Sequence, residues 1–305
     1  MLAAVSVDLD EIGNYFAIHG LEAGSRSNLV YDVAIARLLD WAGAHSIPLT
    51  LFAVGEDLER LQSAATLRSA HRCGHEIANH SYSHKYDLVR RDYSEQIEEI
   101  TKGANAIQRA VGTRPIGFRA PGYTVSDALF AAMKECDVSY DSSVFPCPAY
   151  YGAKTSAIAA IALRGRKSRS IVDDLRVLTA PTSPYNIGAP YWRRGGGMRE
   201  LPIQVTRGLR LPYIGTTLTL AGPIGARWLT RMCLGEPLVN LELHGIDVLD
   251  ASDGLEALVP HQPDVRVQLQ TKLDALSEAV TMMSKRGYQF VTLSEAAQKS
   301  SRRPA

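Results

Sequence analysis

The chain has almost no net charge, few cysteines and few aromatic residues. Its 33 Lys and Arg against 32 Asp and Glu leave a formal charge of +1, so no chain-wide basic field draws it to nucleic acid and no acidic excess marks a solvating tail. No nucleic-acid partner is expected, and the sequence implies no particular protein partner. Four cysteines, Cys73, Cys136, Cys147 and Cys233, stand far apart without a CxxC pair, which excludes a zinc knuckle or a disulfide framework. Gly, Pro or Arg breaks every apolar run well short of bilayer length. Met1–Asp8 reads directly into a strand rather than into a basic start and a cleavable apolar leader, so a cytoplasmic location is expected. No internal repeat of fixed period is present. What the chain does have is 305 residues, 46% of them hydrophobic, enough to bury a full core as one large domain or two modest ones.

Apolar periodicity alternates between strand and helix. Residues 2–8 predict a strand, Asn28 to about His45 a helix, Leu49–Val54 a strand and the segment through Arg72 a helix. Glu76–Asn79, Ile116–Phe118 and Val138–Tyr140 read as further strands, separated by helices at Tyr93–Val111 and Ser126–Cys136. The rhythm breaks between about Cys147 and Pro237 into a stretch rich in Gly, Pro, Arg and Tyr, with the triple glycine Gly195-Gly196-Gly197. It resumes with a strand at Leu238–Leu243, a helix from about Val265 to Arg286, a strand at Phe290–Leu293 and a short closing helix; 299–303 read as a frayed, solvated tail. Strands alternating with helices imply parallel βα units. If their sheet closes, the result is a distorted barrel with its active site at the carboxyl ends of the strands.

Polar residues collect at those ends. Asp8 and Asp10, two apart, project to one side of an extended chain, and carboxylates so close repel unless a cation or proton lies between them; an isolated pair of this kind is more often a turn. His80 and His84 follow the third strand, where one helical turn would put both imidazoles on one face toward one ion. A single His is usually structural. Two at this spacing, with an aspartate pair on another strand end, point to a metal; a carboxylate and two imidazoles suit Zn²⁺, with Fe²⁺, Co²⁺, Mn²⁺ or Ni²⁺ as alternatives. Arg119 in Phe118-Arg119-Ala120-Pro121-Gly122-Tyr123 is placed to hold a carboxylate bidentately, and the following Pro and Gly to aim an amide into the site. Asp141 in Asp141-Ser142-Ser143 occupies the next strand end, where it either caps a helix or turn or belongs to the site. His244 has no neighbouring His, so proton transfer suits it better than ligation.

The order Asp-x-Asp, His-Ser-x-x-His, Arg-x-Pro-Gly, Asp-x-Ser and Leu-x-Leu-His-Gly resembles the polysaccharide deacetylase superfamily, the NodB homology domain of carbohydrate esterase family four, over residues 2–145 and 238–293. The resemblance implies a single domain over 1–305 with an α/β fold, a distorted (β/α)7-type barrel, and with 147–237 as a substrate-specificity insertion before the last catalytic motif. It implies metal-dependent hydrolysis of acyl groups on sugars, with Asp8 as general base, Asp10, His80 and His84 as metal ligands and His244 as general acid. Arg119 would orient Asp8, and Asp141 would hold and charge His244. Leu9 separates two aspartates that are adjacent in the common family pattern, which leaves the roles of Asp8 and Asp10 open to exchange. Gly122 stands where the family often has an aromatic residue.

The nearest likeness is to the ArnD-like cytoplasmic branch. It implies removal of an acetyl or formyl group from an amino sugar, lipid-linked or nucleotide-linked, in envelope glycan or lipopolysaccharide modification. The alternatives are a soluble deacetylase of free oligosaccharides or of an antibiotic-precursor amino sugar, and an inactive sugar-binding module, against which the presence of Asp8 and His244 argues. Within the insertion, Leu218–Met232 mixes apolar residues with Arg227, Arg231 and Trp228; this suits either peripheral contact with the inner face of the cell membrane or a helix packed on the barrel.

Overall fold

The computed structural model describes residues 1–19, 21, 28–163, 171–172 and 174–301. Its order is β1 (Leu2–Asp8), α1 (Ile12–Ile18), a π-helical turn leading into α2 (Ile35–His45), β2 (Leu49–Ala53), α3 (Leu61–Arg72), β3 (Glu76–Asn79), α4 (Tyr93–Val111), β4 (Gly117–Phe118), α5 (Asp127–Glu135), β5 (Tyr140–Asp141), α6 (Pro148–Leu163), β6 (Tyr185–Ile187), β7 (Arg194–Glu200), α7 (Gly215–Cys233), β8 (Leu238–His244), α8 (Leu269–Lys285), β9 (Gln289–Phe290) and α9 (Leu293–Ser301).

One mixed sheet runs β6-β7-β5-β4-β3-β2-β1-β8, with β9 added beside the start of β1. All neighbours are parallel except β6 and β7. The first strand shows no apolar–polar alternation because both its faces are covered: Ala3, Ala4, Val5 and Val7 are all buried, as expected of a central parallel strand. The sheet curls into a half-barrel rather than closing by a continuous ladder. At the gap beyond β8, Asn240 Nδ2 donates to the Leu201 and Pro202 carbonyls at 3.2 Å each, and Gln204 N donates to the Asn240 carbonyl at 3.1 Å.

Two expectations need correction. The stretch 147–237 is not wholly outside the barrel rhythm: it contributes β7, which pairs with β5 in the register Tyr140–Arg199 and Asp141–Glu200. Three consecutive glycines concealed it, since they carry no apolar alternation, and Gly195 and Gly197 lie so close to the Ile187–Gly188 backbone that a Cβ would clash. The tail expected to fray at 299 instead continues α9 to Ser301, with 302 and 303 outside the described residues. No helix among the described residues is long and apolar enough to cross a membrane.

Candidate metal centre and acid–base groups

The carboxyl ends of β1, β3, β4 and β8 meet at one rim. Asp8 ends β1; the chain continues through Leu9, whose amide donates to the Phe52 carbonyl at 3.0 Å and whose side chain is buried. Asp10 is therefore returned to the same side as Asp8. Its Oδ1 lies 3.2 Å from His80 Nε2 and 3.1 Å from His84 Nε2, while Asp8 Oδ2 is 3.8 Å from His80 Nε2. Asp10, His80 and His84 form one group of donor atoms within 4.8 Å of each other.

The two histidines do not share a helical turn. His80 follows β3, and the chain then curls through left-handed residues at Ser81 (φ 66°) and His84 (φ 52°). Such backbone is costly for residues with a side chain and must be held by its surroundings. Glu99 on α4 does so, accepting from the amides of Tyr82 (3.2 Å) and Ser83 (2.9 Å) and from Ser83 Oγ (2.6 Å). Gly103, one turn further along α4, lets the helix approach: a Cβ there would stand 2.3 Å from Asn79 Oδ1 and 2.9 Å from the Ser81 backbone. Ser81 Oγ also accepts from the His84 amide at 3.1 Å.

The donor set fits a divalent cation. His80 Nδ1 is 2.7 Å from the Arg119 carbonyl, so it carries the proton and leaves the Nε2 lone pair facing Asp10. Asp10 Oδ1 and both ring nitrogens of His84 are buried without a hydrogen-bond partner among the described residues. Buried polar atoms are rarely left so; lone pairs converging on one point are the arrangement an ion satisfies. Of the two aspartates, Asp10 is the one within reach of both imidazoles.

Asp8 is held differently. Arg119 Nη1 donates to Asp8 Oδ1 at 2.6 Å, Nε donates to the Ser142 carbonyl at 2.7 Å, and Nη2 donates to Ser6 Oγ and Ser142 Oγ at 2.9 Å each. The expected bidentate grip does not form because serine oxygens occupy the rest of the guanidinium fork. Asp8 Oδ2 is left facing His80. Arg119, fully buried, stays charged: burial opposes its charge, but Asp8 and then Glu242 hold the guanidinium's pKa above its usual value.

The carboxylate on His244 is Glu242, not Asp141. Glu242 Oε1 lies 2.9 Å from His244 Nδ1. Burial alone would discharge the imidazole, but the Glu242 charge and contact, reinforced by Asp10 and Asp8, push its pKa well above the ordinary histidine range. Asp141 instead accepts from the Ser143 amide at 3.0 Å and from Ser143 Oγ at 2.8 Å. Its register partner Glu200 brings a second buried carboxyl against it; burial first, then the Asp141 charge, pushes Glu200's pKa far up, so the pair shares a proton. Glu242 had a signal in the sequence, since on a strand it shares a face with His244 two residues on. Tyr123 was also missed. Its hydroxyl lies 3.2 Å from His244 Nε2, and its ring packs on Phe145 and Tyr150 at centroid distances of 5.6 Å each. Its amide donates to the Ala120 carbonyl at 3.1 Å, so that amide is not free to serve an oxyanion.

Residues 30–140 match the polysaccharide deacetylase family model. A peptidoglycan deacetylase-like protein of Gibberella zeae is 27% identical over 150 residues, covering 46% of this chain and 43% of that protein; the match spans less than half of the relative's length. A Mycobacterium smegmatis protein assigned as a polysaccharide deacetylase superposes with a TM-score of 0.62 at 19% identity, covering 99% of this chain and 92% of that one. A family 4 acetyl xylan esterase of Clostridium thermocellum, solved with a cobalt ion, gives 0.51 at 16% identity over 99% and 92% of the two chains. A family 4 pseudoenzyme of Bacillus anthracis gives 0.51 at 12%, over 96% and 64%. At these identities the likeness is one of fold.

Proposed function

Starting from a chain that matches the polysaccharide deacetylase family over residues 30–140, we propose that it is a metal-dependent hydrolase removing an N-acyl group, acetyl or formyl, from an amino sugar. One observation carries the reading: the three-residue donor group of Asp10, His80 and His84 shares its rim with the Asp8–Arg119 pair and the Glu242–His244 pair.

A divalent ion held by Asp10, His80 and His84, zinc by its donor set, supplies when bound the polarisation of the acyl carbonyl and of water. The chain's own groups divide the proton traffic. Asp8, with Oδ1 fixed by Arg119, offers Oδ2 to take a proton from the attacking water. His244, kept as imidazolium by Glu242, gives a proton to the departing nitrogen. Amide hydrolysis needs this second step because an amine anion is too poor a leaving group. Tyr123 stands beside His244, its buried ring braced by Phe145 and Tyr150.

The proposed donor is a lipid-linked or nucleotide-linked amino sugar handled inside the cell, as part of envelope glycan modification. Incubation with free, nucleotide-linked and prenyl-linked acylated amino sugars, followed by mass detection of a lost acyl group, tests this. Chelation should abolish release and one equivalent of Zn²⁺ or Co²⁺ restore it. Acyl release that survives complete metal removal would sink the mechanism, and inertness of the metal-loaded chain toward the whole panel would sink the activity.

A further inference from the structure

Away from the catalytic rim, α7 carries an apolar stripe that nothing among the described residues covers. Leu220, Ile224 and Trp228 are 48%, 79% and 68% exposed, whereas Leu218, Ala226, Thr230 and Cys233 on the same helix are buried. A kink at Gly222 (φ 65°) and Pro223 resets the helix. Beyond it Ile224, Arg227, Trp228 and Arg231, at i, i+3, i+4 and i+7, share the outward face. A groove of about 500 Å³ beside this face is lined by Arg227, Trp228, Arg231, Leu234, Met282 and Arg286. Arg227 pairs with Glu278, but among the described residues neither Arg231 nor Arg286 has a carboxylate partner.

From this face we infer that the chain docks on an anionic lipid surface, with Ile224 and Trp228 entering the headgroup boundary and Arg231 and Arg286 meeting lipid phosphates. A tryptophan among cations suits that boundary, where one end of a side chain is apolar and the other wet. A second copy of the chain fits the face poorly. Two-fold pairing would bring Arg231 and Arg286 against their own kind, and three apolar side chains fall well short of the roughly 800 Å² per partner that a stable interface buries. The helix also begins at the site: Gly215 packs on Asp247, Thr216 Oγ1 donates to Asp247 Oδ1 at 3.0 Å, and Asp247 Oδ2 accepts from the His244 amide at 2.8 Å. Ile224 and Trp228 stand roughly 14–20 Å along the helix from that end, so the docking face is separate from the catalytic rim.

Flotation of the full chain with phosphatidylcholine vesicles, alone or mixed with phosphatidylglycerol, tests this. The chain should float with the mixed vesicles and far less with the neutral ones. Ile224→Glu/Trp228→Glu should abolish flotation with unchanged melting temperature, and Arg231→Gln/Arg286→Gln should weaken it about fivefold per arginine. No flotation with the mixed vesicles, or undiminished flotation of the Glu variant, would overturn the inference. So would a concentration-dependent dimer, seen by sedimentation, that the Glu variant loses, because the face would then belong to a second copy. Flotation reads binding rather than catalysis, so a chain that floats yet releases no acyl group overturns only the proposed function.

Discussion

Glu242→Gln probes the acid side of the mechanism with almost no change of shape. The glutamine keeps an oxygen near His244 Nδ1, now at 2.9 Å from Glu242 Oε1, and removes the negative charge. A hydrogen bond to a charged group contributes about 1.5–3 kcal/mol, against about 1 for a neutral one, and 1.36 kcal/mol corresponds to one pH unit in a titration. With Asp10 and Asp8 still favouring the imidazolium, the loss is worth about 0.4–1.5 pH units. His244 must be protonated to donate, so activity declines as pH rises through its pKa; the alkaline limb of kcat/KM should move down by that amount while the acid limb stays. The pair should also stabilise the fold in a definite window. A histidine whose folded pKa lies above its unfolded value, about 6.5, contributes fully below that value, and the contribution is lost as pH rises through the folded pKa. Glu242→Gln should thus lower the melting temperature more near about pH 6 than near about pH 10. The control is Asp141→Asn, which should leave the alkaline limb in place because Asp141 bonds Ser143 and Glu200 rather than His244. An alkaline limb unmoved by Glu242→Gln, or moved instead by Asp141→Asn, would refute the assignment.

Two other perturbations follow from the packing. Arg119→Met leaves Asp8 buried beside an apolar side chain, and breaking such a buried pair costs about 3–5 kcal/mol; urea denaturation at neutral pH should show a loss of that order, and a change within error would mean Asp8 is far better solvated than the structure has it. Gly103→Ala forces a methyl against Asn79 and Ser81, so it should destabilise by about 1–3 kcal/mol and also weaken Zn²⁺ binding, read by titration calorimetry, since His84 hangs on the displaced loop. Loss of stability with unchanged metal affinity would show that the loop is positioned without α4.

Strand-end chemistry was legible in the sequence because parallel βα order decides which ends face one another before any contact is known. Element order and backbone period put Asp8, Asp10, His80, Arg119 and His244 at one rim. How the partners connect is not written in that order. The spacing of His80 and His84 suggested a helical turn, whereas the structure uses left-handed residues at Ser81 and His84, with the loop between them clamped by Glu99; local spacing cannot register a helix that packs on the loop from further along the chain. Nor did composition show that the glycine-rich run Arg194–Glu200 is a strand of the sheet.

By itself, then, the sequence determined the residue types at the rim and their sidedness, which depend only on backbone period and order. Tertiary structure alone decided which carboxylate meets which base. The strand β7 enters beside β5 and sets Glu200 against Asp141, so that pair is occupied with its own proton, while Glu242 reaches His244 along β8 itself. The reason is physical: ionisable groups couple over a few ångströms, and that distance is set by register between strands far apart in the chain.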